Sequence, residues 1–501
     1  MTLIDILDLN AGNCPQKTAI KFDGTKYSYS SVRDKVFSFA NFLIDIGLKK
    51  GGRVGCIMDS RSPELLISFL GIAAAGGVVV PIDYNQTINQ VNQLLNLVSP
   101  YAIVVSDKLA GMVPRLNVNL LYEKIIVTGD SVDSNYIGFN DIISRHPKDK
   151  PGIDIQENDV VYFNLTSGTT GLPKCAVTTH ANIYWNTVAA VESLNLTEKD
   201  VHLCMFPPSV HPHEFFARSL FLGGTTVLTD SISPKTLTKV IEKNHVTCMM
   251  AIAPIYGNLV HYHARTDFYF KGLRIAESGG MHVNPVLAEQ FIDRFNIPIV
   301  PVWGSTETTG IALAMPVDGD YREGSCGKVC PYYQAKIVDE NGAELRHGLI
   351  GELIIRGPGV CSEYFANQDV TTEQFKNGWY QTGDMFRKDS EGYYYFEGRK
   401  FGMMKVAGLK VSPVEIENVL IRHPDIKEVA VIGVKNDLYG EVPKAVIVLK
   451  NNLVIDKKEI IAFCKDKLAK YKVPKVIEIK DSLPRTPGGK ILIKDLYAEN
   501  F

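Results

Sequence analysis

The 501-residue chain carries 53 basic and 55 acidic side chains, a net charge of −2 and a sequence pI of about 6.6. That balance excludes a general nucleic-acid surface, and 45% hydrophobic with 22% charged residues is ordinary for a globular chain long enough for two domains. No apolar run reaches membrane-spanning length and Met1–Asn10 lacks the basic segment of a signal peptide. The nine cysteines include no Cys-x-x-Cys pair, so reduced thiols in the cytoplasm are expected.

Ser30 and Ser31 offer N-caps for a helix reaching Ile46, with Val32, Val36, Phe39, Ala40, Leu43 and Ile46 on one face. A buried strand is expected over Arg53–Met58, a helix over Pro63–Ala75 and a strand over Val78–Ile82. A helix over Thr87–Leu97 and strands over Ala102–Val105 and Val160–Leu165 follow. The alternation returns in Ile183–Leu194, Thr225–Leu228, Ser233–Asn244, Thr247–Ala251 and Val286–Arg294. Strands joined by helices in this way make right-handed crossovers over a mostly parallel sheet, an α/β fold. From Gln334 the texture changes to short alternating runs, Ala335–Val338 and Gly351–Ile355, expected as antiparallel strands. After Gly398 comes a compact unit of about one hundred residues, a size that suits a separate domain. It holds helices at Pro413–Ile421 and Lys457–Lys470 and strands at Val429–Val434, Lys444–Leu449 and Lys475–Ile479. The domains are therefore expected over 1–398 and 403–501, with a hinge at 399–402.

The strand Val160–Leu165 runs into Thr166-Ser167-Gly168-Thr169-Thr170-Gly171-Leu172-Pro173-Lys174. Hydroxyls and glycines without bulk leave exposed N–H donors that can wrap a polyphosphate, and Lys174 adds a point charge for the outer phosphates. The spacing is not Gly-x-x-x-x-Gly-Lys-Ser/Thr, so this is not the Walker loop. With the His180-Ala181-Asn182 that follows, the string resembles the signature of the acyl-adenylate-forming superfamily: acyl-CoA synthetases, amino-acid-adenylation domains and luciferases. Further motifs in that family's order extend the resemblance over nearly the whole chain: Trp303-Gly304-Ser305-Thr306-Glu307-Thr308, Tyr380-Gln381-Thr382-Gly383-Asp384 with Arg399, Lys405-Val406-Ala407-Gly408-Leu409-Lys410, and Pro484-Arg485-Thr486-Pro487-Gly488-Gly489-Lys490.

The resemblance implies an N-terminal domain of mixed, mostly parallel sheets with a small β-barrel-like part, and a mobile α+β C-terminal domain. It implies that ATP, Mg2+ and a carboxylic acid yield an acyl adenylate. Thr166, Ser167, Gly168, Thr169, Thr170, Gly171 and Lys174 would hold the phosphates. Trp303, where the family has Tyr, offers a face for adenine. Gly304 and Thr306 would border the phosphates, and Glu307 would hold the metal. Asp384 and Arg399 would grip the ribose. Lys490 would bridge the acid's carboxylate and the α-phosphate. Lys405, Gly408 and Lys410 would border the thiol's channel.

For the acid, the stretch Phe206–Phe216 matches the family's pocket wall. Ser209 stands where amino-acid-adenylation domains carry an ammonium-binding Asp, and no nearby carboxylate except Glu214 replaces it, so an acid without an α-amino group is expected. His211 lines the carboxylate, neighbours the thiol channel or is a wall histidine, and His213 lies in the same wall. Gly279 and Gly280 match the pocket floor, which Met281 either shortens or leaves open by bending aside. Coenzyme A is the first reading of the thiol. A separate carrier protein is the second, since the chain stops soon after Lys490 and is expected to hold no carrier domain. An oxygenase of the luciferase kind is a third. At the hinge Phe401 stands where the family has Asp or Lys.

Overall fold

The computed structural model describes residues 1–118, 120–129, 135–166, 174–266, 268–436, 439–450, 455–485 and 491–498. Among them, a seven-stranded sheet runs Ile137–Gly138, Ile125–Thr128, Ala102–Ser106, Arg53–Ile57, Val78–Ile82, Val160–Thr166, Lys174–Thr179. Every neighbouring pair is parallel except the last. Val78–Ile82 and Ala102–Ser106 are buried along their whole length, as parallel strands covered by helices must be. A nine-stranded sheet has Thr225–Leu228, Val201–Cys204, Cys248–Ala251, Ile275–Ser278 and Ile299–Ser305 as its parallel centre, with antiparallel strands at both ends.

The helices explain themselves locally. Tyr29–Asp45 is capped by Ser28, whose hydroxyl accepts from the Ser31 N–H; Ser30 and Ser31, expected as caps, fall inside its first turn. The apolar run Leu65–Ala75 forms the buried helix Pro63–Ala74. It crosses Tyr29–Asp45 so closely that a Cβ on Gly71 would lie 2.7 Å from Phe39 Cδ1 and 3.2 Å from Val36 O. Among the described residues no helix is long and apolar enough to cross a membrane.

Where a barrel-like part is expected, five antiparallel strands form a sheet around Trp379–Lys388, which pairs with Gly351–Arg356, Phe375–Lys376 and Tyr394–Arg399. Beyond it, Met404–Val406, Leu409–Val411, Ile426–Asn436, Gly440–Leu449 and Val476–Ile479 form a last sheet with its own core around Met404, Ile416, Val431 and Ile447. The helix expected to reach Lys470 ends at Lys465, because Lys467 and Leu468 both donate to Cys464 O and close the end in a tight turn. This unit meets the rest through Ser412 Oγ donating to Glu397 O at 2.7 Å, through His282 Nε2 lying 3.1 Å from Asn418 Oδ1, and through Arg422 pairing with both Glu289 and Glu323.

Candidate active site

The helix His180–Ser193 is the mount. Thr179 caps it in a reciprocal box with Asn182. Asn182 Nδ2 also donates to Pro358 O at 2.9 Å and to Val360 O at 3.1 Å. One turn on, Asn186 Nδ2 donates to Ile311 O and to the Tyr333 hydroxyl, each at 2.9 Å. Both buried amides thus hold the segments that flank Glu307. Sequence reasoning missed Asn186; two Asn at i and i+4, on the helix face that also buries Ile183 and Ala190, were its signal.

Strand Ile299–Ser305 ends in a turn that Thr308 closes: its Oγ1 accepts from Ser305 N at 2.8 Å and donates to Gly310 O at 2.6 Å. Thr306 sits half-buried in that turn. Gly304 is there for packing, since a Cβ would lie 2.1 Å from Gly310 O. Glu307 is buried, and the Tyr364 hydroxyl donates to its Oε1 at 2.6 Å. Burial, with Glu307 beside it, pushes the Tyr364 phenol far above its ordinary range and keeps it a donor. Lys174 Nζ lies 5.4 Å from the centre of the Tyr364 ring, and Thr166 is the cross-strand partner of Lys174. Thr166, Lys174 and Glu307 are therefore drawn together around a tyrosine that no motif contained. Ser167, Gly168, Thr169, Thr170, Gly171 and Lys490 lie outside the described residues.

Asp384 is buried and directly opposite Arg399 in the strand register. Arg399 Nε lies 2.8 Å from Asp384 Oδ1, and Trp303 Nε1 donates to Oδ2 at 2.9 Å. The indole is only 9% exposed and sits edge-on to Phe386, with ring centres 5.8 Å apart. Its polar edge is directed at Asp384.

The acyl side is less regular. His211 has φ +46°, a left-handed conformation uncommon for a non-glycine residue, and its Nδ1 lies 3.2 Å from Asn164 Nδ2. His213 is buried with Nδ1 2.9 Å from the Tyr162 hydroxyl, and burial lowers its pKa to about 3, so it is neutral. His211, His213 and Glu214 present ligand atoms within 4.8 Å of one another, but Asn164, Tyr162 and Arg218 already engage them. Ser209 is buried and lines a cavity with Met58, Leu65, Phe69 and Pro212. A second cavity takes Glu214, Arg218 and Glu277, so the expectation that Glu214 is the lone nearby carboxylate is corrected. Glu277 comes from a distant strand, which linear reading could not bring to this wall. Gly280 is left-handed, with φ +76°; Met281 is half-exposed, and the next residue, His282, meets the C-terminal unit.

Lys405 and Lys410 face each other across the hairpin that Ala407 and Gly408 turn, with φ +49° and +81°. Lys410 Nζ lies 3.5 Å and Lys405 Nζ 4.0 Å from Glu340 Oε1. A Cβ on Gly408 would meet open space.

Layered mostly parallel sheets, an appended α+β unit and these buried carboxylates define the class of two-domain adenylate-forming enzymes. The family model described as AMP-binding enzyme matches residues 7–365, and that of the AMP-binding enzyme C-terminal domain matches 415–490. An indoleacetate–CoA ligase of Aromatoleum aromaticum is 29% identical, covering 99% of this chain and 98% of its own. A crotonobetaine/carnitine–CoA ligase of Proteus mirabilis is 31% identical, covering 96% of each. The crystal structure of an anthranilate CoA ligase in complex with anthranoyl-AMP superposes with a TM-score of 0.92 at 27% identity, covering 100% of this chain and 97% of that one. The chain belongs to the AMP-binding enzyme family.

Proposed function

We propose that this enzyme joins a carboxylic acid to coenzyme A through an acyl adenylate made from ATP. The observation that carries the reading is the meeting of Asp384 with Arg399 and Trp303, four residues ahead of the Glu307–Tyr364 pair. One buried carboxylate suits a pair of vicinal ribose hydroxyls, and the other suits a hard cation. Thr166, Ser167, Gly168, Thr169, Thr170, Gly171 and Lys174 cradle the outer phosphates. Thr306 donates to the α-phosphate, and Gly280 and Met281 border the nucleotide. Glu307 fits magnesium, since its neighbour is a phenol and not a competing cation. Bound there, the ion would supply neutralisation of phosphate charge.

In the first half-reaction a carboxylate oxygen of the acid attacks the α-phosphorus and pyrophosphate leaves. Two anions meet, so the work is electrostatic, and Lys490 contributes a preorganised charge to both. In the second, the thiol sulfur attacks the acyl carbonyl, AMP leaves and the thiol proton passes to solvent. His211 and Gly279 border the acid, with Ser209 and His213 in its wall; Ser209 in place of a carboxylate supports an acid without an α-amino group. The cytoplasm suits nine cysteines of which none is paired.

Between the halves the unit over 403–501 turns on residues 399–402. Support comes from the short turn Lys400–Gly402, where a Cβ on Gly402 would meet nothing within 4 Å, and from Phe401, which is 78% exposed with its ring edge-on to Tyr497. Turning would free Lys405 and Lys410 from Glu340 for the phosphates of coenzyme A and bring Gly408 to the thiol arm.

The test is a panel of carboxylic acids assayed for ATP-dependent AMP release with and without coenzyme A. Acyl-CoA formation is expected; transfer to a carrier protein alone, or oxygen consumption, would replace the assigned acceptor. For the channel, Gly408→Asn tolerates the left-handed turn yet adds a side chain. It should leave pyrophosphate exchange within about threefold and slow thioester formation by roughly 10². Parallel loss of both activities would remove Gly408 from the channel.

A further inference from the structure

We propose that the acid carries, at the end away from its carboxyl group, a hydrogen-bond donor or a cation, received by Glu277, Glu214 and His202. This rests on the acyl-adenylate reading and names the substrate class within it. Glu277 is in the strand Ile275–Ser278 and stands two residues before Gly279, the expected floor beneath the acid, so continuing the strand's alternation by one residue brings both to one face. On that face a Cβ on Gly279 would lie 3.1 Å from Val302 Cγ2. Cross-strand register continues the face from Glu277 to Met250 and Cys204, and from Ile275 to Cys248 and His202. These side chains, with Arg218 and Glu214, line one buried cavity. Two residues of strand span about 6–7 Å, roughly one aromatic ring or a short chain.

Charge in this cavity does not balance. Arg218 donates to both oxygens of Glu277 and lies 3.2 Å from Glu214 Oε2, one cation between two carboxylates. His202 adds no charge, because burial lowers its pKa to about 4. Its Nε2 is buried with no partner among the described residues. A buried excess carboxylate is costly, and burial accordingly raises the Glu277 pKa despite Arg218. An alkyl end would leave both defects in place, and a distal carboxylate would add a third anion around a guanidinium already shared. A hydroxyl, an N–H or an ammonium supplies the missing donor. If the cluster were only an internal staple between helix and sheet, it would be indifferent to the acid's far end.

The experiment uses the purified full-length enzyme and acids matched in shape. These are 3-hydroxybenzoate against 3-methylbenzoate, 4-hydroxyphenylacetate against 4-methylphenylacetate, and 4-aminobenzoate against 4-methylbenzoate, read by acid-dependent ATP–pyrophosphate exchange. At least one donor acid is expected to exceed its methyl partner tenfold in kcat/KM. Glu277→Gln, which keeps the shape, should bring that ratio near one. A methyl acid equal or superior in every pair overturns the proposal, whether or not the variant folds; so does a donor preference that a folded Glu277→Gln leaves intact. Exchange with no acid at all, in an enzyme that still binds ATP, would instead overturn the acyl-adenylate reading beneath it.

Discussion

The nucleotide side and the acyl side of this molecule are built on opposite plans. Glu307 follows Trp303 by four residues, and Asp384 faces Arg399 across a single hairpin register. Glu214 and Arg218 stand four residues apart, in a 3-10 turn and the short helix after it, but Glu277 and His202 come from two separate strands. A ligand of constant shape can be served by local backbone geometry; telling one acid from another is left to side chains that only packing brings together. The electrostatics differ as well. Arg399 is 70% exposed, so solvent screens its charge, whereas Arg218, Glu214 and Glu277 are all buried against one another.

Arg218→Ala should break that contrast hardest. Two buried carboxylates would be left without their cation, costing about 3–5 kcal/mol of stability in denaturant unfolding. Arg399→Ala, an exposed partner, should cost at most about 1 kcal/mol while raising the KM for ATP. Equal losses at the two arginines would erase the distinction. Next in size, Lys490→Ala should raise the adenylation barrier by about 2.7–4 kcal/mol, a rate loss of roughly 10²–10³. Thioester formation from supplied acyl adenylate should barely change, and equal damage to both half-reactions would take Lys490 out of the first.

Trp303→Phe sharpens the nucleotide side. It keeps an aromatic ring and removes the Nε1–H that reaches Asp384, a bond to a charged group worth about 1.5–3 kcal/mol. The KM for ATP should rise roughly tenfold or more with the KM for the acid unmoved. An unchanged KM for ATP would return the indole to a stacking role.

The smallest effect is a pH dependence, to which two histidines of the acyl side contribute. Burial holds His202 at a pKa of about 4 and His213 at about 3, so both are neutral in the fold. Unfolded, each binds a proton near pH 6.5, so the unfolded state takes up more protons and stability falls as pH drops from there toward the folded values. The loss between pH 6.5 and 5.5 is about 1 kcal/mol for each histidine. His213→Gln should flatten the measured slope by that amount, and an unaltered slope would mean that His213 is not the group taking up the proton.

Much of the fold is legible without coordinates. Alternating apolar runs and helical faces yield the parallel centres of both large sheets, and glycine-punctuated short strands yield the antiparallel part. Errors fall at ends. Ser28 displaces Ser30 and Ser31 as a cap because the serine just outside the first turn is the one whose hydroxyl reaches the Ser31 N–H. The helix from Lys457 stops early because its carbonyls find a turn instead of another helical step.

What the sequence alone determined is whatever depends on spacing within one short segment: the phosphate-loop string, the apolar alternation of the strands and the buried faces of the helices. Tertiary structure alone decided the long-range bonds: Tyr364 to Glu307 across 57 residues, Arg218 to Glu277 across 59, and Trp303 to Asp384 across 81. The physical reason is that a strand or a turn repeats its geometry wherever it occurs, whereas which buried polar group meets which depends on how the elements cross. Once water is excluded each such group must find a partner, and only the packed fold brings one within reach.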